Sequence, residues 1–185
     1  MFETGCSPLE GLALPNGEFF AIVEAPAAAR FVFRGGEAAR AVCAGAFRAE
    51  LPTRLGPGGE AGGRAALWLG PDEWLLIAEG ADPGPLSAEL SAQLAATPAS
   101  LVDVSHRQIG LVVSGARAAR ALSAGCPLDL DPAALPAGMA TRTLFDKAEM
   151  VLWRRGDAFH VEVWRSFAPW LAASLIEAAR GAPAW

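Results

Sequence analysis

Residues Leu101–Leu130 read LVDVSHRQIGLVVSGARAARALSAGCPLDL. Asp103, Ser105 and His106 crowd the start of this stretch. An apolar run at Leu111–Val113 follows, then Gly115, then a helix-like series of small residues. The stretch is either a catalytic constellation or a structural signature. As a serine nucleophile with a histidine base it fails on geometry. Ser105 and His106 are neighbours in an extended segment, so their side chains leave on opposite faces. A nucleophile and its base must share a hydrogen bond. No G-x-S-x-G elbow is present, and the other histidine, His160, has no serine in its local context.

The same stretch has a counterpart upstream. Arg30–Gly45, RFVFRGGEAARAVCAG, aligns without a gap to Gly110–Gly125, GLVVSGARAARALSAG, at an offset of 80. In each copy a β-branched or aromatic run predicts a strand, and Gly35 or Gly115 permits a tight strand-to-helix turn. A helix should then bury Ala38, Ala41 and Val42 in the first copy and Ala118, Ala121 and Leu122 in the second. Gly45 and Gly125 stand where helix C-caps are expected.

The likeness extends further along the chain. Ala66–Leu69 and Trp74–Ala78 flank a turn and predict a hairpin, as do Met150–Trp153 and Phe159–Trp164. A helix follows each: Leu86, Leu90 and Leu94 line one, and Phe167, Trp170, Leu171, Leu175 and Ala178 line the other, with Ser166 as N-cap. Phe19–Glu24 is expected to lead into the first half and Leu101–Val104 into the second. Leu55–Gly63, LGPGGEAGG, reads as a flexible loop with Pro127–Thr143 as its longer counterpart. The fold class is therefore α+β: two pseudo-repeated strand-helix-hairpin-helix halves, about 18–98 and 99–181, with antiparallel or mixed sheets in a single domain spanning 1–185.

Composition narrows the function. Apolar residues make up 52% and charged residues 19%, enough for a packed core. The net charge is −5 and no Lys/Arg run exists, which argues against nucleic acid as partner. No apolar run is long enough for a membrane span, and the N-terminal residues do not pattern as a secretory signal. Cys6, Cys43 and Cys126 are widely spaced, which disfavours metal knuckles and a disulfide framework; the expected compartment is the cytoplasm. Asp103, His106, His160 and Glu162 are a weak metal set, and a solvent-facing strand accounts for the last two. Gly35-Gly36 and Gly115 match no phosphate-binding pattern. The six tryptophans, against no tyrosine, suit core filling or a partner surface.

The order D-V-S-H, apolar strand, Gly, small-residue helix resembles the N-terminal region of the glycine-cleavage aminomethyltransferase (T-protein) family, which binds tetrahydrofolate. Five motifs in order are more specific: Asp103–Gln108, Gly125–Leu130, Pro136–Glu149, Val151–Arg154 and Glu162–Phe167 look very like the gamma subunit family of heterotetrameric sarcosine oxidase. LGPDEWLL at Leu69–Leu76 adds to it. That resemblance implies a non-catalytic, T-protein-like subunit of a complex that demethylates sarcosine. FAD, FMN, NAD, tetrahydrofolate and zinc would lie on other subunits, with none in this chain. The implied partners are the alpha, beta and delta subunits, alpha most directly, with no nucleic acid and no membrane. The acidic N-D motif and long C-terminal region of the T-protein are not visible here. No catalytic, cofactor or metal residue is therefore assigned. Asp103, Ser105, His106, Arg107, Arg142, Lys147, Glu149, Arg154, Glu162, Trp164 and Arg165 are candidate interface or motif residues, several alternating with apolar positions as a charged sheet face. The competing readings are a free-standing folate-binding one-carbon-transfer protein and an assembly module of another amine-oxidising complex.

Overall fold

The computed structural model describes residues 6–181. In chain order the elements are β1 (Ala21–Glu24), β2 (Ala28–Gly35), α1 (Glu37–Phe47), β3 (Gly56–Pro57), β4 (Gly59–Ala61), β5 (Arg64–Gly70), β6 (Glu73–Glu79), α2 (Pro83–Leu94), β7 (Ala99–Asp103), β8 (Gln108–Ser114), α3 (Ala118–Ser123), β9 (Met139–Phe145), β10 (Ala148–Arg155), β11 (Ala158–Trp164) and α4 (Ala168–Arg180). They form two compact units. The described part of the first is Pro26–His106, and that of the second joins residues 6–25 to 107–181.

The first unit is an antiparallel sheet in the order β4-β5-β6-β2-β7. Phe31, Phe33, Trp74 and Leu76 point from its strands onto Cys43 and Phe47 of α1 and Leu86 and Leu90 of α2. Alternation puts every second strand residue on this face, and each large apolar side chain so buried contributes roughly 1.5–3 kcal/mol. The second unit repeats the scheme with strands β1-β8-β11-β10-β9, all antiparallel. There Leu111, Val113, Leu152, Val161 and Val163 meet Leu122 of α3 and Leu171 and Leu175 of α4. The two hairpins, the leucine face of α2 and the α+β class agree with the sequence reading.

The lead-in strands are exchanged relative to expectation. Residues 21–24 pair with β8 of the second unit, Ile22 opposite Val113. Residues 99–103 pair with β2 of the first, Val102 opposite Val32. Assigning each short strand to the half that follows it assumed that sequence neighbours pair, which is only a tendency. Both strands are short apolar runs, so neither names its partner.

The repeat is also less regular than a gapless alignment. Strand positions correspond at the offset of 80: Phe31 and Phe33 are buried like Leu111 and Val113. The helices do not. α3 buries Ala118, Ala121 and Leu122 as expected, but α1 buries Ala39, Cys43 and Phe47 and leaves Ala38 and Ala41 exposed. Strand and helix are joined by Gly36 alone in the first copy but by residues 115–117 in the second, and even a one-residue slip turns a helix by about 100°. The glycines accordingly differ in purpose. Gly115 has φ +94°, and a Cβ there would lie 2.6 Å from the Phe19 backbone. Gly35 needs no positive φ; a Cβ there would meet Ala39 Cβ at 2.7 Å.

Three further expectations are corrected. Gly45 lies inside α1, whose C-cap is Arg48 in the left-handed region. α4 is entered at Phe167, with no side-chain cap, so Ser166 stands one residue too early. Leu55–Gly63 is not simply a flexible loop. It holds β3 and β4, and β4 pairs with β5. Glycine is required there because a Cβ on Gly59 would fall 1.7 Å from the Glu50 carbonyl oxygen. The counterpart stretch 127–143 likewise contributes the start of β9.

Replacing Gly115 by Ala adds a strained φ and a backbone overlap, and is expected to cost about 3 kcal/mol. Gly62→Ala, also at positive φ but with open space around it, should cost only about 1–2 kcal/mol. Urea unfolding of the two variants checks the difference.

Candidate functional site

The DVSH segment closes the β2–β7 ladder. Ser105 N–H donates to Asp103 Oδ1 at 2.8 Å, an Asx turn. Ser105 Oγ accepts from Arg30 N–H at 2.9 Å and lies 3.3 Å from the Arg30 carbonyl, to which it donates. Val104 N–H bonds the same carbonyl at 2.9 Å. The hydroxyl thus supplies one more rung where the strand leaves the sheet. Its partners are main chain, and His106 is exposed in the turn beyond. This arrangement positions backbone and does not activate a nucleophile.

The second polar group lies at the centre of the second unit's sheet. β11 runs between β8 and β10, and Phe159–Val163 is buried throughout. His160 and Glu162, expected on a solvent-facing strand, are 4% and 1% exposed. Their side chains meet at 2.8 Å, Nε2 to Oε1. Residues two apart on a strand share a face, so the spacing alone brings them together. Gly110 is the register partner of Glu162. A Cβ on it would sit 2.8 Å from both Glu162 Oε1 and His160 Nε2, so glycine makes the room the pair occupies. Trp153, opposite His160 on β10, places its ring 5.6 Å from the imidazole. Two donors are too few for a metal centre, and among the described residues no three His, Cys, Asp or Glu converge to hold one.

The remaining motif residues divide between bracing the fold and lining the surface. Arg154 donates to the carbonyls of Leu130 at 3.0 Å and Leu135 at 3.4 Å, and its guanidinium lies 5.3 Å above Phe159. The Arg154 carbonyl accepts from Gly138 N–H at 2.6 Å. Three of the sequence motifs therefore meet at one arginine, which fastens the 126–138 segment to β10. Gly125 allows the Phe145 ring to approach; a Cβ would lie 2.9 Å from it. Arg165 donates to the Cys6 carbonyl at 2.8 Å. Arg142 and Glu149 form an exposed pair at 3.8 Å, worth at most about 1 kcal/mol. Arg107 covers the Trp164 ring and Lys147 the Trp170 ring. The charged residues thus do not share one sheet face, because Glu162 is buried, Arg154 turns to a loop and Lys147 sits in a hairpin turn.

Of the aromatic surface at the start of α4, only Trp164 was among the candidate interface residues. Phe167 and Trp170 read as core, yet both are only partly buried, and Trp164 is 41% exposed. The signal was the spacing Trp164, Phe167, Trp170 across a strand-to-helix junction. Trp74 and Trp153 are buried, while Trp185 lies outside the described residues.

Comparison with known proteins first fixes the class. Aminomethyltransferase T of the glycine cleavage system from Bartonella henselae superposes with a TM-score of 0.65 at 15% identity, over 88% of this chain and 49% of that one. The fold is T-protein-like. The heterotetrameric sarcosine oxidase from Corynebacterium sp. U-96, in complex with pyrrole 2-carboxylate, contains a chain that superposes with a TM-score of 0.87 at 29% identity, over 98% of this chain and 99% of that one. Sarcosine oxidase gamma subunits from Arthrobacter sp. and Corynebacterium sp. strain P-1 are 38% and 41% identical over 66% and 58% of this chain. Those matches span only 60% and 52% of the relatives' own lengths. Residues 34–180 match the model of the sarcosine oxidase gamma subunit family, and the chain belongs to that family.

Two tests follow from the site. Glu162→Ala strands a buried histidine beside a new cavity and should lower unfolding stability by about 3 kcal/mol. Glu162→Gln keeps an acceptor in place and should cost nearer 1 kcal/mol. Equal stability of Glu162→Ala and wild type, by urea melts, would show that the pair is not structural.

The thiols give the second test. Burial pushes Cys43 from 9.0 up to about 12, and a hydrogen bond to Glu10 raises exposed Cys6. In native protein Ellman's reagent should modify Cys6 alone, slowly near neutrality and faster as pH rises, while unfolding releases all three thiols. Because the folded Cys43 pKa lies above the unfolded one, its contribution to stability is intact below pH 9.0 and lost between there and about 12. Cys43→Ala should remove that alkaline loss.

Proposed function

We propose that this chain is the non-catalytic gamma subunit of a heterotetrameric sarcosine oxidase, packing on the large alpha subunit to assemble and stabilise the complex. The complex would remove two electrons from the N-methyl group of sarcosine, pass them to oxygen as hydrogen peroxide, and deliver the carbon to tetrahydrofolate as 5,10-methylenetetrahydrofolate, leaving glycine. The flavins, NAD, folate and zinc would lie on the alpha, beta and delta subunits. Within this reading the two units act as one domain of two similar halves.

The observation that carries the proposal is the match over nearly the full length of a whole chain of the Corynebacterium complex. The disposition of the motif residues supports it. Ser105, Arg154 and Arg165 bond main-chain groups, and His160 and Glu162 engage each other in a buried site. These are the roles of a scaffold. The fold shared with the aminomethyltransferase supports a second reading, a free-standing folate-binding one-carbon-transfer protein.

The deciding experiment is co-expression with the cognate alpha, beta and delta subunits, with and without this chain. Complex mass and sarcosine-dependent peroxide formation are followed, and the isolated chain is titrated calorimetrically with tetrahydrofolate. The expected result is a stoichiometric complex containing this chain and no folate heat from the chain alone. A chain that stays apart and binds tetrahydrofolate by itself overturns the subunit reading.

A further inference from the structure

Five side chains of the second unit form a continuous row with a cation at each end. Arg107, just before β8, holds its guanidinium carbon 5.3 Å above the Trp164 ring. Trp164 and Phe167 have ring centroids 6.4 Å apart, and Phe167 and Trp170 6.5 Å. Lys147, in the β9–β10 turn, closes the row with Nζ 5.5 Å from the Trp170 ring. The row is fixed from beneath. Phe145 meets Trp170 edge-on at 6.1 Å, and Phe167 and Trp170 pack on the unit's core. Its outer side is open, since Trp164, Arg107 and Lys147 are exposed.

Three rigidly held rings at a surface are uncommon without a partner, because aromatic residues and arginine concentrate where interfaces are driest. The charges say what kind of partner fits. The chain carries a net −5, yet the row has two cations and no carboxylate. Among the described residues neither Arg107 nor Lys147 has an ion-pair partner. A ring-stacked cation keeps its hydrogen-bond donors free to engage a carboxylate. The complementary surface is apolar at its centre and acidic at both ends.

Resting on the subunit reading above, we propose that this row seats an acidic and apolar segment of the large subunit. Its apolar side chains cover Trp164 and Phe167, and its carboxylates bond Arg107 at one end and Lys147 at the other. The test uses the full chain and the cognate large subunits. Affinity is measured for wild type, Trp164→Ala and the charge-reversal pair Arg107→Glu/Lys147→Glu, with thermal melting of each isolated chain as control. Trp164→Ala should weaken assembly about thirtyfold, as loss of an interface anchor does. The charge-reversal pair should weaken it at least about tenfold at low salt and less at high salt. The charge-reversed side chains are exposed in the free chain, so that variant keeps a wild-type melt and separates docking from folding.

Wild-type affinity in the charge-reversal variant overturns the seat while leaving the subunit reading standing. Failure of the wild-type chain itself to join the large subunits overturns that reading and the seat with it. A wild-type chain that dimerises alone, and is made monomeric by either variant, gives the row to a second copy and overturns the large-subunit assignment.

Discussion

β11 has no solvent face, and that constraint shapes the second unit. A central strand buried on both sides must be apolar or carry polar groups that satisfy one another in place. Phe159, Val161 and Val163 meet the first condition and His160 with Glu162 the second. The pair in turn dictates its neighbours. Gly110 must lack a side chain where the carboxylate lies, and Trp153 flanks the imidazole from the adjoining strand. Buried polar networks tolerate little rearrangement, because any unmade bond there goes unreplaced by water. The bond itself lies within β11, but the room it needs on β8 and the ring it meets on β10 make a shift of either neighbour costly.

Much of this was legible in sequence, and the exceptions share a cause. The hairpins and α2 could be read because their information is local: alternation, a turn, leucines four apart. The strand exchange could not, since pairing of residues 21–24 with β8 depends on geometry far along the chain. The helical face of α1 was misjudged by one residue for a similar reason. A gapless alignment maximises identical letters, and the alanines of both copies are interchangeable in that count. What distinguishes Ala39 from Ala38 is the length of the connection before the helix, to which letter matching is blind.

The candidate residues show the same division. Ser105 and His106 were set aside as a nucleophile–base pair from spacing alone, while the bonds Ser105 makes to Asp103 and to the Arg30 main chain depend on the pairing of β2 with β7. Glu162 was placed on a solvated face because H-x-E alternation reads as a half-buried strand. Burial of both faces is a property of strand order, which one strand's pattern does not contain. Arg107, Lys147 and Trp164 stood among the candidates, but the two rings that join them were missed because Phe167 and Trp170 satisfied a helical apolar stripe. A stripe records which side of a helix is apolar but not how deeply each member sinks.

The exchanged strands also nest one unit inside the other along the chain. Pro26–His106 is a contiguous insertion, whereas the second unit is split around it. On the ribosome β1 therefore emerges first and waits unpaired while the entire inserted unit is made, since β8 comes only afterwards. The inserted unit can close its own sheet as soon as β7 is out. The segment ahead of the insertion remains a loose strand until synthesis is well advanced, and it is the part of the nascent chain with most need of protection from a wrong edge.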